Sequence, residues 1–393
     1  MSRRVFVVNC GSSSLKYRLV DVDAGTALGS GLADRVGRPG SRLVHRGPAG
    51  EEAIERPLRD HAEALAAVLE TCARLGPALD DLVAVAHRVV HGGDRFAAPV
   101  LIDDAVLAAV RELSVLAPLH NPVNATGIEV ARRAFPRMPH VAVFDTAFHQ
   151  TLPPHAYTYA VPREWARRHG VRRYGFHGTS HAFVSRAAAG LLGRDPRETR
   201  VIVLHLGNGA SATAVRGGVS VDTSMGLTPL EGLVMGTRSG DVDPALVAHL
   251  QRAAGLEPDA VAAALNGASG LLGLAGDGDM REVHRRVAAG DAAAALALEV
   301  YCYRIRKYVG AYLAALGGAD AIAFTAGVGE NDAVVRAKSL AGLERLGIAV
   351  DPARNEARSS RARFISPAGA EVAVLVVPTD EELEMATQAA ALA

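Results

Sequence analysis

Three observations predict an α/β protein built from two duplicated domains. The segment from 5 to 20, VFVVNCGSSSLKYRLV, aligns without a gap on the segment from 201 to 216, VIVLHLGNGASATAVR, at an offset of 196 residues. Each segment has a β-branched strand, a turn of Gly, Ser or Asn, and a second alternating strand, which is typical of a hairpin. Helical and strand patterns alternate along the rest of the chain, and this alternation indicates an α/β architecture.

The elements follow from local patterns taken in chain order. Helices are predicted over His61 to Leu75 and Ser180 to Leu192, and strands over Leu82 to Ala86, His140 to Phe144 and Val372 to Val377. The Pro-rich segment 152–154 and Gly170 lie near the middle, where a first domain is expected to end around residue 150. After the last strand, Thr379 or Asp380 can cap a closing helix.

Length, charge and cysteine usage exclude several classes of protein. The chain has 393 residues, 49% of them hydrophobic, so it is long enough for two or three domains and too apolar for disorder. Its 42 basic and 42 acidic residues leave no net charge, which argues against nucleic acid or a membrane surface as a partner. No apolar run approaches the ~20 residues of a membrane span. The cysteines, Cys10, Cys72 and Cys302, lie outside any CxxC motif, and a reducing cytoplasm fits them best.

Three loops have the composition of phosphate-binding segments. Asn9 to Lys16 offers backbone amides, the hydroxyls of Ser12, Ser13 and Ser14, and a lysine. His205 to Ser211 is an Asn-Gly turn, and in Phe324 to Asn331 a strand passes through two glycines into a helix expected to begin near its last residue. A plain turn is the alternative for each loop. The pairing of two such hairpins in a duplicated fold favours a site that clasps a triphosphate.

Taken together, these motifs resemble the acetate kinase family. The similar motifs run in the family's order from residue 5 to residue 383: NxGSSSLK near the start, HRVVHGG at His87 to Gly93, FDTAFH at Phe144 to His149, RYGFHGTSH at Arg173 to His181, HLGNG at His205 to Gly209, MGTRSGDVDP at Met235 to Pro244, TAGVGEN at Thr325 to Asn331 and EEL at Glu381 to Leu383. The family belongs to the acetate and sugar kinase, Hsp70 and actin superfamily. The resemblance implies a duplicated, ribonuclease H-like fold whose two domains close over ATP in an interdomain cleft. It implies an N-terminal domain of residues 1–150 with the helix 380–393, and a C-terminal nucleotide-binding domain of residues 151–379.

The resemblance also implies a reaction and a set of site residues. The family transfers a phosphoryl group reversibly from ATP to acetate, giving acetyl phosphate and ADP, with Mg²⁺. Asn9 and Glu381 match the metal site, whose hard oxygen ligands suit Mg²⁺. With Ser12 and Ser14 of the first loop, the expected nucleotide-binding residues are Lys16, His205, Leu206, Gly207, Asn208, Gly209, Asp279, Met280, Arg281, Gly327, Val328, Gly329, Glu330 and Asn331. Two departures are the turn before Met280, one residue shorter than usual, and Asp380, where asparagine is common.

The chemistry of the reaction explains the remaining family positions. A carboxylate is ionised at neutral pH and needs no general base, but it must approach a phosphoryl group whose transition state spreads negative charge. By resemblance Arg88 faces the acetate carboxylate, and Arg238 and His177 face the transferring phosphoryl group. Asp145 has a catalytic role in the family, and we expect it to organise a magnesium-bound water or Arg88. An apolar pocket for the acetate methyl group is expected from Val90, Leu119, Phe176 and Pro229.

Other readings stay open at this point. A propionate kinase shares the fold and nearly every motif, and since one methylene changes binding by ~1–3 kcal/mol, a preference for acetate is expected. An actin- or Hsp70-like nucleotide switch would need a further binding surface, and a sugar kinase does not suit paired arginines around an apolar pocket. His177 and His181 lie four residues apart but lack the other ligands of a zinc site. A cytoplasmic homodimer is implied by resemblance alone, and the mechanism requires Arg88, His177 and Arg238 to converge.

Overall fold

The computed structural model describes residues 2–393, which form two compact units. Unit 1 runs up to Phe148 and includes Asp380–Ala393, and unit 2 runs from His149 to Thr379. Each unit contains one β-sheet with helices packed against it. None of the helices within residues 2–393 is both long and apolar enough to span a membrane.

Unit 1 contains an eight-stranded mixed sheet and four helices. Its strands are β1 (Arg4–Gly11), β2 (Ser14–Asp21), β3 (Thr26–Asp34), β4 (Arg42–Gly47), β5 (Gly50–Glu55), β6 (Leu82–Val89), β7 (Val100–Leu101) and β8 (His140–Phe144), and its helices are α1 (His61–Leu75), α2 (Asp104–Glu112), α3 (Asn121–Ala134) and the closing helix α15 (Glu381–Ala390). The strand order is β5-β4-β3-β2-β1-β6-β8-β7. The pairs β1–β2 and β2–β3 are antiparallel, whereas β6 is parallel to both β1 and β8.

Unit 2 contains a six-stranded sheet and the remaining helices. Its elements are α4 (Pro154–Tyr157), α5 (Arg163–His169), α6 (Gly178–Leu191), β9 (Arg200–Leu206), β10 (Ala210–Arg216), β11 (Val219–Thr223), α7 (Leu246–Ala254), α8 (Pro258–Gly267), α9 (Gly270–Ala275), α10 (Met280–Ala288), α11 (Ala292–Leu316), β12 (Ala321–Thr325), α12 (Ala326–Asn331), α13 (Ala333–Leu340), α14 (Pro352–Glu356), β13 (Arg363–Phe364) and β14 (Ala373–Val376). The strand order is β11-β10-β9-β12-β14-β13. The run β11-β10-β9-β12-β14 repeats the run β3-β2-β1-β6-β8 of unit 1 in both order and direction.

The strand sequences explain why both faces of the unit 1 sheet are covered. Side chains alternate between the two faces of a strand, and β1 is apolar at consecutive positions, so it needs helices on each side. Val5 and Val7 lie in a buried cluster with Met385 of α15. Phe6 and Val8 lie in a second cluster that includes residues of α1 and α3. The last helix of the chain therefore completes the core of its first unit.

The predicted elements agree with the structure except at one strand-to-helix junction. The hairpins β1–β2 and β9–β10, the helix His61–Leu75 and the strand His140–Phe144 occur where they were predicted. A helix begins near Asn331 as predicted, since α13 starts at Ala333, but the short helix α12, which lies between β12 and α13, was not predicted. The Glu330 carboxylate accepts a hydrogen bond from the Ala326 amide at 2.9 Å, which closes this turn one residue after the strand ends.

Candidate active site

A cavity of about 890 Å³ in unit 2 brings together three segments that the sequence singled out, and its size is that of a pocket for a nucleotide-sized ligand. The predicted nucleotide-binding residues in its wall are Gly207, Asn208, Asp279, Met280, Arg281, Gly327, Val328 and Asn331. The wall also contains residues that sequence reasoning missed, namely Gly236, Leu271, Gly278, His284, Tyr301, Asp332, Ala333 and Val334. Of these, Gly236 lies within one of the quoted motifs and Gly278 lies in the turn before Met280, so a signal was present for both.

Gly236 allows two loops of the cavity wall to approach closely. Its amide donates to the Asn208 carbonyl at 2.9 Å. A Cβ atom at this position would lie 2.1 Å from the Asn208 Oδ1 atom and 3.0 Å from the Gly278 carbonyl oxygen. A larger residue here would displace the Asn208 side chain and press on the Gly278 backbone, so glycine allows Asn208 its position in the wall.

The other predicted nucleotide-binding residues are not in this wall. His205, Leu206, Gly209, Gly329 and Glu330 lie in unit 2, where His205 Nδ1 is 2.8 Å from the Ser180 hydroxyl and Glu330 accepts the Thr379 amide at 3.2 Å. Ser12, Ser14 and Lys16 belong to unit 1. Ser12 is in the two-residue turn of the first hairpin, and Lys16 is ion-paired with Glu382.

Arg238 and His177, the two predicted phosphoryl-binding residues of unit 2, border the same glycine. A Cβ atom at Gly209 would lie 3.4 Å from Arg238 Nη1 and 3.7 Å from His177 Nε2. Arg238 Nη1 donates to the Pro229 carbonyl at 3.0 Å, and burial lowers the pKa of its guanidinium. The His177 ring stacks on His205 with 4.2 Å between the ring centroids. Arg238 Nη1 and His177 Nε2 therefore flank the glycine loop.

The backbone of His177 is in the left-handed region, with φ at 57°. This residue is the N-cap of α6, so its side chain leaves the chain at the point where the preceding loop ends. A non-glycine residue with positive φ carries local strain, which persists only when its surroundings hold it in place. No sequence pattern indicated this conformation.

Arg88 and Asp145 form a two-pronged ion pair in unit 1. Arg88 donates from Nε to Asp145 Oδ1 at 2.9 Å and from Nη2 to Asp145 Oδ2 at 2.8 Å. The carboxylate of Asp145 raises the pKa of Arg88. Burial raises the pKa of Asp145, and the positive charge of Arg88 opposes that increase. Glu381 contributes to both increases in pKa, so its carboxylate lies near the pair. Arg88 and Asp145 end adjacent parallel strands, which is why residues 57 apart in sequence meet here.

The predicted metal ligands lie at the ends of two elements of unit 1. Asn9 is near the end of β1, where it pairs with Lys16 across the hairpin. Glu381 is the first residue of α15, whose N-cap is Asp380. The Asp380 carboxylate accepts the Leu383 amide at 2.9 Å and an Arg18 hydrogen bond at 2.5 Å.

The residues predicted to form a pocket for the methyl group are divided between the two units. Val90 is half-buried in unit 1, and in unit 2 Phe176 is buried and Pro229 is half-buried. Leu119 is 74% exposed, because it lies in the turn that precedes α3.

Comparison with known proteins gives a consistent result over the whole chain. Residues 4–387 match the model of the acetokinase family. An acetate kinase of Clavibacter michiganensis subsp. michiganensis is 61% identical over 98% of this chain and 98% of its own, and one from Streptomyces coelicolor is 58% identical over 100% and 97%.

Solved structures agree with these relatives. The crystal structure of Porphyromonas gingivalis acetate kinase is similar over 100% of both chains, with a TM-score of 0.95 and 44% identity. A propionate kinase structure from Francisella tularensis subsp. tularensis is similar over 100% of both chains, with a TM-score of 0.94 and 40% identity. The α/β fold class predicted from sequence and the predicted resemblance are both confirmed. The chain belongs to the acetokinase family.

Proposed function

We propose that this protein catalyses reversible phosphoryl transfer from ATP to acetate, giving acetyl phosphate and ADP. It is a phosphotransferase of the acetokinase family with a carboxyl group as acceptor. The proposal for the site depends on one observation, the burial and the hydrogen-bond partners of Arg238. This guanidinium is partly buried beside the glycine loop, and its hydrogen bonds go to a carbonyl oxygen and a thioether sulfur. Within residues 2–393 it has no carboxylate partner among the ion pairs of the structure.

A partly buried cation without an acidic partner favours the binding of an anion. Arginine stays protonated in proteins, so its burial costs free energy, and an anionic ligand would offset that cost more fully than the neutral acceptors that Arg238 now contacts. The donors of Arg238 and His177 flank Gly209, next to Gly207 and Asn208 of the cavity wall. A nucleotide in the cavity would extend its phosphates toward these donors. Fixed donors of this kind stabilise the charge that develops on the equatorial oxygens during transfer.

The acceptor is assigned to Arg88 of unit 1. Asp145 holds two of the guanidinium donors of Arg88, so it fixes the orientation of the plane that would receive the acetate carboxylate. Between the two roles expected for Asp145, this two-pronged geometry favours the positioning of Arg88. The proposal requires Arg88 to face Arg238 and His177 during turnover.

Magnesium is part of the proposal, and the donor set of unit 1 fits it. Mg²⁺ keeps several waters and uses one or two protein carboxylates together with substrate phosphates. Within residues 2–393 no three His, Cys, Asp or Glu side chains form a metal-binding group, so a site of this open kind is the one to consider. Asn9 and Glu381 supply the hard oxygen ligands, and Glu381 lies near a second carboxylate, that of Asp145. When bound, the ion would neutralise phosphate charge.

The remaining parts of the proposal rest on the resemblance to the family. Val90, Leu119, Phe176 and Pro229 would contact the methyl group of acetate. Lys16, Ser12 and Ser14 would contribute to nucleotide binding with the glycine loops of unit 2. A cytoplasmic homodimer is proposed on the same basis.

Trapping of the product tests the reaction. Acyl phosphates react with hydroxylamine, so ATP, Mg²⁺ and acetate should give acetohydroxamate, whereas ATP without acid should give none. Propionate should react with a lower kcat/KM, because a pocket discriminates one methylene by ~1–3 kcal/mol. Equal kcat/KM for both acids would favour the propionate kinase reading, for which the Francisella structure is the motivating neighbour. ATP hydrolysis independent of either acid would contradict the proposal and favour a nucleotide switch.

Substitution of Arg238 tests the site. Arg238→Ala should lower kcat by at least 10²-fold, as expected when a donor to a developing charge is removed. Arg216→Ala is the matched control, because Arg216 is an exposed arginine of the same unit that donates to the Ala315 carbonyl. Full turnover of the Arg238 variant would refute the assignment.

A further inference from the structure

A single serine hydroxyl connects two histidines of unit 2. Ser211 Oγ lies 2.9 Å from His177 Nδ1 and 2.8 Å from His181 Nε2. Ser211 and His181 have no solvent exposure. A hydroxyl carries one hydrogen and can accept two, so Ser211 can donate to only one of the two rings. The two rings are the hydrogen-bond partners of Ser211 Oγ among the described residues, so accepting from both would leave its own buried hydrogen without an acceptor, and Ser211 is expected to donate to one ring and accept from the other. The direction of this pair of hydrogen bonds therefore determines which nitrogen of His177 carries a proton.

His181 determines that direction. Its Nδ1 atom is buried and has no hydrogen-bond partner among the described residues. Burial holds the pKa of His181 well below its usual value, and His149 and His205 lower it further, so the ring is neutral with one N–H group. On Nδ1 that hydrogen would be a buried donor without an acceptor, a rare arrangement that costs about 1–3 kcal/mol. On Nε2 it has Ser211 as its acceptor.

The direction of the hydrogen bond between His181 and Ser211 determines the tautomer of His177. If His181 Nε2–H donates to Ser211, the Ser211 hydrogen points to His177 Nδ1, which must then be the unprotonated nitrogen. The neutral His177 ring consequently carries its hydrogen on Nε2, the atom 3.7 Å from the position of a Cβ on Gly209, next to Arg238. We propose that Ser211 and His181 are positioning residues that hold His177 in the Nε2–H tautomer, so that it donates a hydrogen bond to the transferring phosphoryl group. This inference rests on the proposed role of His177.

A second histidine of the unit has the same arrangement with a known direction. His149 Nε2 lies 3.0 Å from the Phe176 carbonyl oxygen, which can only accept, so this nitrogen carries the hydrogen. His149 Nδ1 lies 2.9 Å from the Ser220 hydroxyl and must accept from it. The same combination, a buried serine that donates to Nδ1 and a hydrogen on Nε2, therefore occurs at His149 in the same unit.

The tautomer can be measured without reference to activity. In protein labelled with ¹⁵N in the histidine rings, the His177 signals are assigned by their loss in His177→Gln. In the wild-type protein at neutral pH we expect a protonated Nε2 and an unprotonated Nδ1. Ser211→Ala should give a mixture of the two tautomers and lower kcat in proportion to the loss of the Nε2–H form, by about twofold for an equal mixture, because only that form presents a donor. Ser211→Ala removes one oxygen atom from a strand of small residues, so the fold is retained.

Two variants of His181 separate positioning from packing. His181→Gln keeps an N–H donor near Ser211 and should retain both the ¹⁵N pattern and kcat, whereas His181→Leu should behave like Ser211→Ala. Ser220→Ala is the matched control, since it removes a buried hydroxyl that bonds to His149 and leaves the hydroxyl that bonds to His177. It should leave the His177 signals unchanged.

The outcomes distinguish this inference from the proposed function. A wild-type His177 protonated on Nδ1, or on both nitrogens, would overturn the inference, as would an unchanged pattern in Ser211→Ala and His181→Leu. Full turnover of His177→Gln would instead refute the catalytic role of His177, while the ¹⁵N pattern would still report the tautomer.

Discussion

Asp145 is buried and forms a two-pronged ion pair with Arg88, so we expect its substitution to have a large effect on activity. Asp145→Asn keeps the shape of the side chain but replaces a carboxylate oxygen with an NH2 group that cannot accept from Arg88. We expect kcat/KM for acetate to fall by about 10²-fold, because misplacement of a substrate-orienting group by about 1 Å has this effect. Steady-state kinetics with varied acetate checks the prediction.

The same variant should lose stability. Removal of one partner from a buried pair typically costs about 3–5 kcal/mol, and we expect about 2 kcal/mol here because the Arg88 side chain keeps 24% exposure. Asp104→Asn is the matched control, since Asp104 pairs with Arg132 at 2.8 Å but is 93% exposed. Equal denaturant midpoints for the two variants would contradict the prediction.

Gly236 is the second residue with a specific expectation. Gly236→Ala would place a methyl group 2.1 Å from Asn208 Oδ1, so Asn208 must move out of its position in the cavity wall. We expect KM for ATP to rise roughly tenfold, with a smaller effect on KM for acetate. Gly267→Ala is the control, because a Cβ atom there meets no atom within 4 Å. An unchanged KM for ATP in Gly236→Ala would show that this close approach does not position Asn208.

At the scale of elements, the closing helix α15 depends on the two functions of Asp380. Asp380→Ala removes both the cap on the Leu383 amide and the ion pair with Arg18, and it should lower the free energy of unfolding by about 1–2 kcal/mol. Asp380→Asn keeps an oxygen for the cap, so it should lose less than about 1 kcal/mol. Chemical denaturation of both variants is the test. Equal losses would mean that the cap contributes nothing.

The hairpins were predictable because their information is local. In β1–β2 and β9–β10, alternating apolar residues and small turn residues lie next to one another in sequence, and tertiary contacts are not needed to locate them. The short helix α12 was not predicted, because its first turn is closed by the Glu330 side chain, which a pattern of glycines does not reveal.

The residues of the site were predictable only where they lie within a recognisable sequence motif. The contact of Arg88 with Asp145 depends on the register of β6 and β8, in which Arg88 pairs with Val143. Tyr301 and His284 reach the cavity wall from helices α11 and α10 without any motif around them. The exposure of Leu119 likewise follows from a turn whose position depends on tertiary structure.

At the scale of the whole molecule, buried neutral histidines make stability depend on pH. Burial lowers the pKa of His149 to about 4, and it also lowers the pKa of His87, His140 and His181. Below pH about 6.5 these histidines bind protons in the unfolded chain but stay neutral in the folded chain. The free energy of unfolding therefore falls as the pH decreases from 6.5 toward 4. For His149 alone the loss reaches roughly 3 kcal/mol at the lower end of that window.

Unfolding midpoints between pH 7.5 and pH 5 check this expectation. His149→Gln keeps an N–H donor for the Phe176 carbonyl but has no titrating ring, so its stability should depend less steeply on pH than that of the wild type. His249→Gln, at an exposed position, is the matched control and should retain the wild-type slope. A flat profile for the wild type would contradict the prediction.

The position of α15 has a consequence for biosynthesis. Val5 and Val7 leave the ribosome long before their partner Met385, because the whole of unit 2 is translated between them. Unit 1 therefore keeps one apolar sheet face uncovered while unit 2 is translated, whereas unit 2 has its own α6 available before β9 is made. Unit 1 begins to form before unit 2 but can complete its core only after unit 2 has been made, so a nascent chain halted before residue 381 would expose an apolar surface to chaperones.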